Sequence, residues 1–127
     1  MNYFSQIKPS DSFTFPRTRH IVKNRSVLAA MTNKQSHKDG SLSDQEIRWL
    51  NRRAKGGFGI VTTAAANVSK DGQGWEGELG LYHDRHVKNL VKLVNSVHKH
   101  GSLIFAQLFH GGMRAPESLT GTKPISS

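Results

Sequence analysis

The chain has 127 residues, 35% apolar and 21% charged, with 18 Lys and Arg against 9 Asp and Glu for a formal charge of +9. That balance suits one globular domain and excludes collagen-like, low-complexity and strongly disordered classes. No apolar run approaches the roughly 18–20 residues of a membrane span, and the absence of cysteine removes disulfides, thiol catalysis and cysteine-ligated zinc.

The opening stretch lacks the apolar segment of a secretory signal, so a cytoplasmic location and no membrane partner are expected. Residues 1–25 read as a lead with a short hairpin: Phe13, Thr14 and Phe15 alternate, and Pro16 keeps them off a sheet interior. The continuous apolar run 27–31 predicts a strand covered on both faces, as strands of parallel sheets are. Ser43, three residues ahead of Glu46, has the spacing of a capping box. Ile47, Leu50 and Ala54 then mark the inner face of a helix whose outer side is Arg48, Asn51, Arg52 and Lys55, and Gly56-Gly57 ends it.

A second buried strand is predicted over 58–66, followed by a polar loop with Gly72, Gly74, Trp75, Gly77 and Gly80. Asp84 reads as the cap of a long helix whose core stripe is Val87, Leu90, Val91, Val94 and Val97, stopped by Gly101. The third strand is 103–109, broken by Gly111-Gly112, and 118–127 reads as a loop. Strand, helix, strand, helix, strand is a parallel α/β arrangement with right-handed crossovers. Residues 26–117 hold it, and with no helix expected after the last strand the chain reads as cut short, with open strand edges.

The cations are spread over the lead and two helix faces, without interleaved Phe or Tyr to stack bases, so nucleic acid is not the expected partner. In parallel α/β folds function collects at the C-terminal ends of the strands. Those ends hold Met31-Thr32, Thr63-Ala64 and the stretch 107–110. Gln107 is the odd residue, an amide inside an apolar strand. Buried, it must find donor and acceptor partners or cost about 1–3 kcal/mol. Neighbouring backbone satisfies that need, and so does a flavin pyrimidine rim, where carbonyl acceptors flank an N–H. A hydroxyl at Thr32 and small residues at Ala29, Ala30 and Ala64 allow close approach to a flat ring. The seven histidines come with no cysteine and few nearby carboxylates, so no metal is assigned. His110 reads equally as a pocket wall or as a hydrogen-bonded structural histidine.

Lys23-Asn-Arg-Ser-Val-Leu-Ala-Ala-Met-Thr32 and Arg53-Ala-Lys-Gly-Gly-Phe-Gly-Ile-Val-Thr62 carry a family resemblance. Val68-Ser-Lys-Asp-Gly-Gln-Gly74, Gly80-Leu-Tyr-His-Asp84, Val97-His-Lys-His-Gly101 and Ala106-Gln-Leu-Phe-His-Gly-Gly112 continue it in order. From about Phe15 to Arg114 the chain resembles the NADH:flavin oxidoreductase family typified by Old Yellow Enzyme. Ala30 stands where proline is usual there, Thr63 where glutamate or glycine is frequent, and Met113 interrupts a His-x-Gly-Arg pattern.

The resemblance implies a (β/α)8 TIM barrel, of which this chain holds an N-terminal hairpin and about the first three parallel strands. It implies non-covalent FMN at the C-terminal mouth, NADH or NADPH as reductant, and a small-molecule substrate, an alkene conjugated to a carbonyl. Ala29, Ala30, Met31 and Thr32 would then lie along the flavin, Ala64 beside its ring, and Gln107 at its pyrimidine. Trp75, Phe109 and His110 would face the substrate. The family's substrate-anchoring histidines, proton-donating tyrosine and phosphate loops would lie beyond Ser127, leaving no catalytic residue in this segment. The other reading of the residues is a non-catalytic fragment or small basic binding protein, with a homo-oligomer formed through open strand edges.

Overall fold

A computed structural model describes residues 6–126; the first five residues of the expected lead, and Ser127, lie outside it. The lead is a hairpin, as expected. β1 (Phe13–Thr14) pairs antiparallel with β2 (Ile21–Val22), Phe13 opposite Val22. Phe13 and Phe15 meet edge to face at 5.1 Å, and the Arg25 guanidinium lies 5.3 Å from the Phe13 ring.

The remaining strands form one parallel sheet around β4 (Ile60–Asn67). β6 (Leu103–Phe109) pairs along the whole of β4, from Ile60 opposite Leu103 to Asn67 opposite Phe109. β3 (Val27–Leu28) and β5 (Leu79–Gly80) therefore share the other edge of β4, β3 against its start and β5 against its end. The run 27–31 pairs over Val27–Leu28 alone, and Val27 is exposed, so it is not the doubly covered strand its composition suggested. The strand expected over 58–66 runs over Ile60–Asn67, placing Thr63 and Ala64 in its middle rather than at its end. β5 lies inside the segment read as a loop, because a Leu-Gly pair carries no periodicity to betray it.

β4 contains a bulge. From Thr62 to Ala65 it takes three steps while β6 takes two, from Phe105 to Gln107. The Thr63 hydroxyl serves the disturbed ladder, accepting from the Gln107 N–H at 3.2 Å and donating to the Ala64 carbonyl at 2.7 Å. The bulge has a packing consequence. Val61 and Ala66 both face the helices, which strict alternation forbids for residues an odd number apart.

Helix α1 (Asp44–Lys55) leads into β4 and α2 (Val87–His98) into β6, and the two cover one sheet face. Leu28, Val61, Ala66 and Leu79 meet Leu50, Ala54, Leu93 and Val97 there. The Ser43 hydroxyl caps α1 by accepting the Glu46 N–H at 3.1 Å. The Glu46 carboxylate accepts the Ser36 hydroxyl at 2.6 Å and the Asn33 amide at 3.2 Å, tying the segment after β3 to the helix.

Two expectations for α2 are corrected. Asp84 is not its cap: residues Asp84–His86 form a 3-10 turn ahead of it, whose cap is His83, with Nδ1 accepting the Arg85 N–H at 3.1 Å. Nor are Val87 and Val91 core residues, each being about half exposed at 51%. The buried line starts a residue earlier, at His86, and continues through half-buried Leu90 to Leu93 and Val97. The segment expected as a loop over 118–127 begins within a short helix, α3 (Glu117–Thr120), closed by Gly121 at φ 74°.

Candidate active site

Alternate residues of the central strands divide between two faces. Val61 and Ala66 of β4, Leu79 of β5 and Ile104 of β6 turn toward the helices. Their neighbours turn the other way, and parallel pairing brings them level: Thr62 with Phe105, Ala65 with Gln107, Asn67 with Phe109. Glu78, one residue ahead of Leu79, accepts the N–H of Gly74, which lies against Phe109 of this second face.

The segment 29–32 follows β3, with Ala29, Met31 and Thr32 exposed and Ala30 half-buried. Gln107 stands on the opposite side of β4 from the edge that β3 occupies. The expected burial of the Gln107 amide is not found. β6 pairs only with β4 among the described residues, so Gln107 is an edge residue on the face without helices, and its side chain is exposed. Ala64 falls within the bulge, buried at 6% exposure, and Ala65 rather than Ala64 stands in register with Gln107.

Trp75 and Phe109, far apart in sequence, come together with ring centroids 5.2 Å apart at 49°. The loop bearing Trp75 is drawn onto the end of β6, where the Gly111 N–H donates to the Gly72 carbonyl at 2.8 Å. Glycine at position 72 leaves room for the His110 ring, which a Cβ there would overlap and push aside. His110 takes a structural bond, its Nδ1 accepting the Gly112 N–H at 3.0 Å, while Nε2 stands 3.8 Å from an Asp71 carboxylate oxygen.

Two residues at this end escaped the sequence reading. Asn67 and Glu78 are fully buried, and Asn67 Oδ1 and Glu78 Oε1 have no partner among the described residues. Burial pushes the Glu78 carboxyl up to about 7, against the pull of the Gly74 and Trp75 backbone N–H groups. The only sequence signal was an acidic residue directly before the Leu-Gly pair that proves to be β5. Among the described residues no group of three or more His, Asp or Glu side chains is placed to hold a metal ion, and no helix is long and apolar enough to cross a membrane.

A parallel sheet with helices on one face, and small, amide and aromatic residues gathered on the other at the strands' C-terminal ends, is the first part of a (β/α)8 barrel. Residues 17–127 match the NADH:flavin oxidoreductase / NADH oxidase family, and the chain belongs to that family, as its ordered motifs implied. It is 33% identical over 115 residues to a probable NADH-dependent flavin oxidoreductase, YqiG, of Bacillus subtilis, covering 91% of this chain and 30% of that protein. An NADPH dehydrogenase of the same organism is 35% identical over 95 residues, 74% of this chain and 28% of the relative. Among solved structures, the old yellow enzyme homologue from Zymomonas mobilis superposes with a TM-score of 0.85 at 28% identity, over 94% of this chain and 32% of that one. The chain thus spans about a third of the length of these relatives.

Proposed function

We propose that this chain forms the flavin-facing first part of an FMN-dependent NAD(P)H oxidoreductase that reduces alkenes conjugated to a carbonyl. The observation that carries the reading is the pairing of Ala65 with Gln107 on the helix-free face, with the exposed segment 29–32 across β4 from it. Membership of a flavin oxidoreductase family supports it, as do relatives described as NADH- and NADPH-dependent enzymes.

The residues suit the group. A methyl-sized floor at Ala65 and small residues at Ala29 and Ala30 let a planar ring approach the backbone, and the exposed Gln107 carboxamide offers a donor and an acceptor to its pyrimidine edge. When bound, FMN would supply hydride chemistry between NAD(P)H and the conjugated alkene, whose second hydrogen would arrive as a proton. Met31 and Thr32 would lie along the ring, Thr32 with a hydroxyl to offer its polar edge, and Ala64 would stand beside it; the Thr63 hydroxyl holds the strand geometry that sets Ala65 and Gln107 level. Trp75 and Phe109 form an aromatic wall on the substrate side, with His110 fixed beside them. The reading takes the reaction to be cytoplasmic, which a need for reduced nicotinamide supports.

The test is flavin binding by the full-length protein. Gln107→Ala removes a donor and an acceptor and should weaken FMN retention by about ten- to a hundredfold, as read by flavin released on dilution. Retention equal to that of the unaltered protein, or no flavin in either, overturns the reading.

A further inference from the structure

Glu78 is a buried carboxyl that has only half the partners such a group usually needs. Glu46 shows the complete case: one oxygen accepts the Ser36 hydroxyl at 2.6 Å and the other the Asn33 amide at 3.2 Å. Glu78 is as deeply buried, at 1% exposure, yet only Oε2 is engaged, accepting the Gly74 N–H at 2.7 Å, and Oε1 has no partner among the described residues. Leaving a buried carboxylate oxygen without a partner is unfavourable and favours the neutral form of the group.

What Glu78 holds is the aromatic pair. Gly74 is the meeting point: a Cβ there would stand 3.2 Å from Phe109 Cε1 and 3.8 Å from Glu78 Oε2. The next residue is Trp75, whose ring lies on Phe109 at 5.2 Å. Gln73, on the other side, is buried and donates its amide to the Trp75 carbonyl at 3.1 Å. The loop 73–75 is thus folded on itself and tied to Glu78 through the Gly74 N–H, while the Gly111 N–H, donating to the Gly72 carbonyl, draws the loop to the end of β6.

We infer that Glu78 is a positioning residue for the aromatic wall, its carboxyl setting the place of Trp75 against Phe109 through the Gly74 amide. A carboxylate accepts that N–H more strongly than the neutral acid does, so the state of Glu78 adjusts how firmly the loop is held. The group changes state at about 7. Charged residues on the segments around it are Lys70 and Asp71 on the 3-10 turn, Glu76 in the loop, Lys34 beside Gly77, and His110. None of them is among the influences on Glu78, which are burial and the Gly74 and Trp75 N–H groups. The coupling of Glu78 to the Trp75 ring stands by itself; its effect on substrate rests on the flavin-enzyme reading.

In the full-length protein labelled with 5-fluorotryptophan, the Trp75 resonance is the fluorine NMR signal that disappears in Trp75→Phe. The Trp75 signal should move across neutrality with a midpoint near 7, lose that movement in Glu78→Gln, and keep it in His110→Asn. A signal that is flat in the unaltered protein, that titrates unchanged in Glu78→Gln, or that loses its titration in His110→Asn overturns the inference. Should Glu78→Gln fail to fold, the unaltered protein and His110→Asn still decide it. In flavin-loaded enzyme, Glu78→Gln should raise KM for a bulky enone about three- to tenfold with kcat and flavin content unchanged. An equal fall in kcat contradicts a positioning role. Absence of flavin sinks the functional reading alone and leaves the fluorine signal to decide this one.

Discussion

The two faces of the parallel sheet are built from alternate residues of the same strands and obey different rules. The helix-covered face is apolar and closed: Leu28, Val61, Ala66 and Leu79 pack on Leu50, Ala54, Leu93 and Val97. The opposite face carries Gln107 and Phe105 in the open and, at the strands' ends, buried Asn67 and Glu78 with unpartnered oxygens. Alternation lets a strand serve as scaffold on one side and as site on the other, and the bulge in β4 allows both Val61 and Ala66 to serve the scaffold.

That division can be broken from either side. The largest effect should come from the covered face: Leu50→Ala empties a fully buried position and should cost about 2–5 kcal/mol in urea unfolding. On the open face Gln107→Ala should leave stability within about 0.5 kcal/mol, although it removes a proposed flavin contact. Comparable losses at both positions would mean that the two faces are not energetically distinct.

A smaller effect should come from pH. The Glu78 carboxyl is raised from an ordinary 4.5 to about 7 in the fold, so the folded state holds its proton more tightly than the unfolded chain does. Its contribution to stability is therefore complete below 4.5 and is lost as pH rises toward 7. Urea midpoints measured across that range should fall with pH for this contribution, and Glu78→Gln should flatten it. On the scaffold side the smallest loss belongs to a cap: Ser43→Ala removes the acceptor for the Glu46 N–H and should cost about 1 kcal/mol.

Much of this was legible along the chain. The third strand was read with the bounds it has, 103–109, and the Ser43 cap and the Leu50 and Ala54 face of α1 were marked by spacing alone. Family motifs pointed to the same barrel and to the same strand ends. The errors share one cause, which is that local pattern does not report partners. Val87 and Val91 fit a helical stripe as well as Leu93 does, but the sheet lies under the line through His86, Leu90 and Val97. Asp84 is as good a capping residue as any, yet the 3-10 turn makes His83 the cap.

The sequence by itself determined the class: apolar runs spaced by amphipathic stretches and glycines compel a parallel α/β sheet, because only helices on the crossovers can cover such strands. Tertiary structure decided the site. Whether Ala64 or Ala65 stands level with Gln107 depends on the bulge in β4, which exists only in the register between two strands far apart in sequence. That Glu78 lies behind Trp75 and Phe109 depends on the Leu79–Gly80 strand and on Gly74 admitting both groups without a side chain of its own. Local propensity carries no record of such meetings, and they are where the carboxyl, the loop and the aromatic wall become one device.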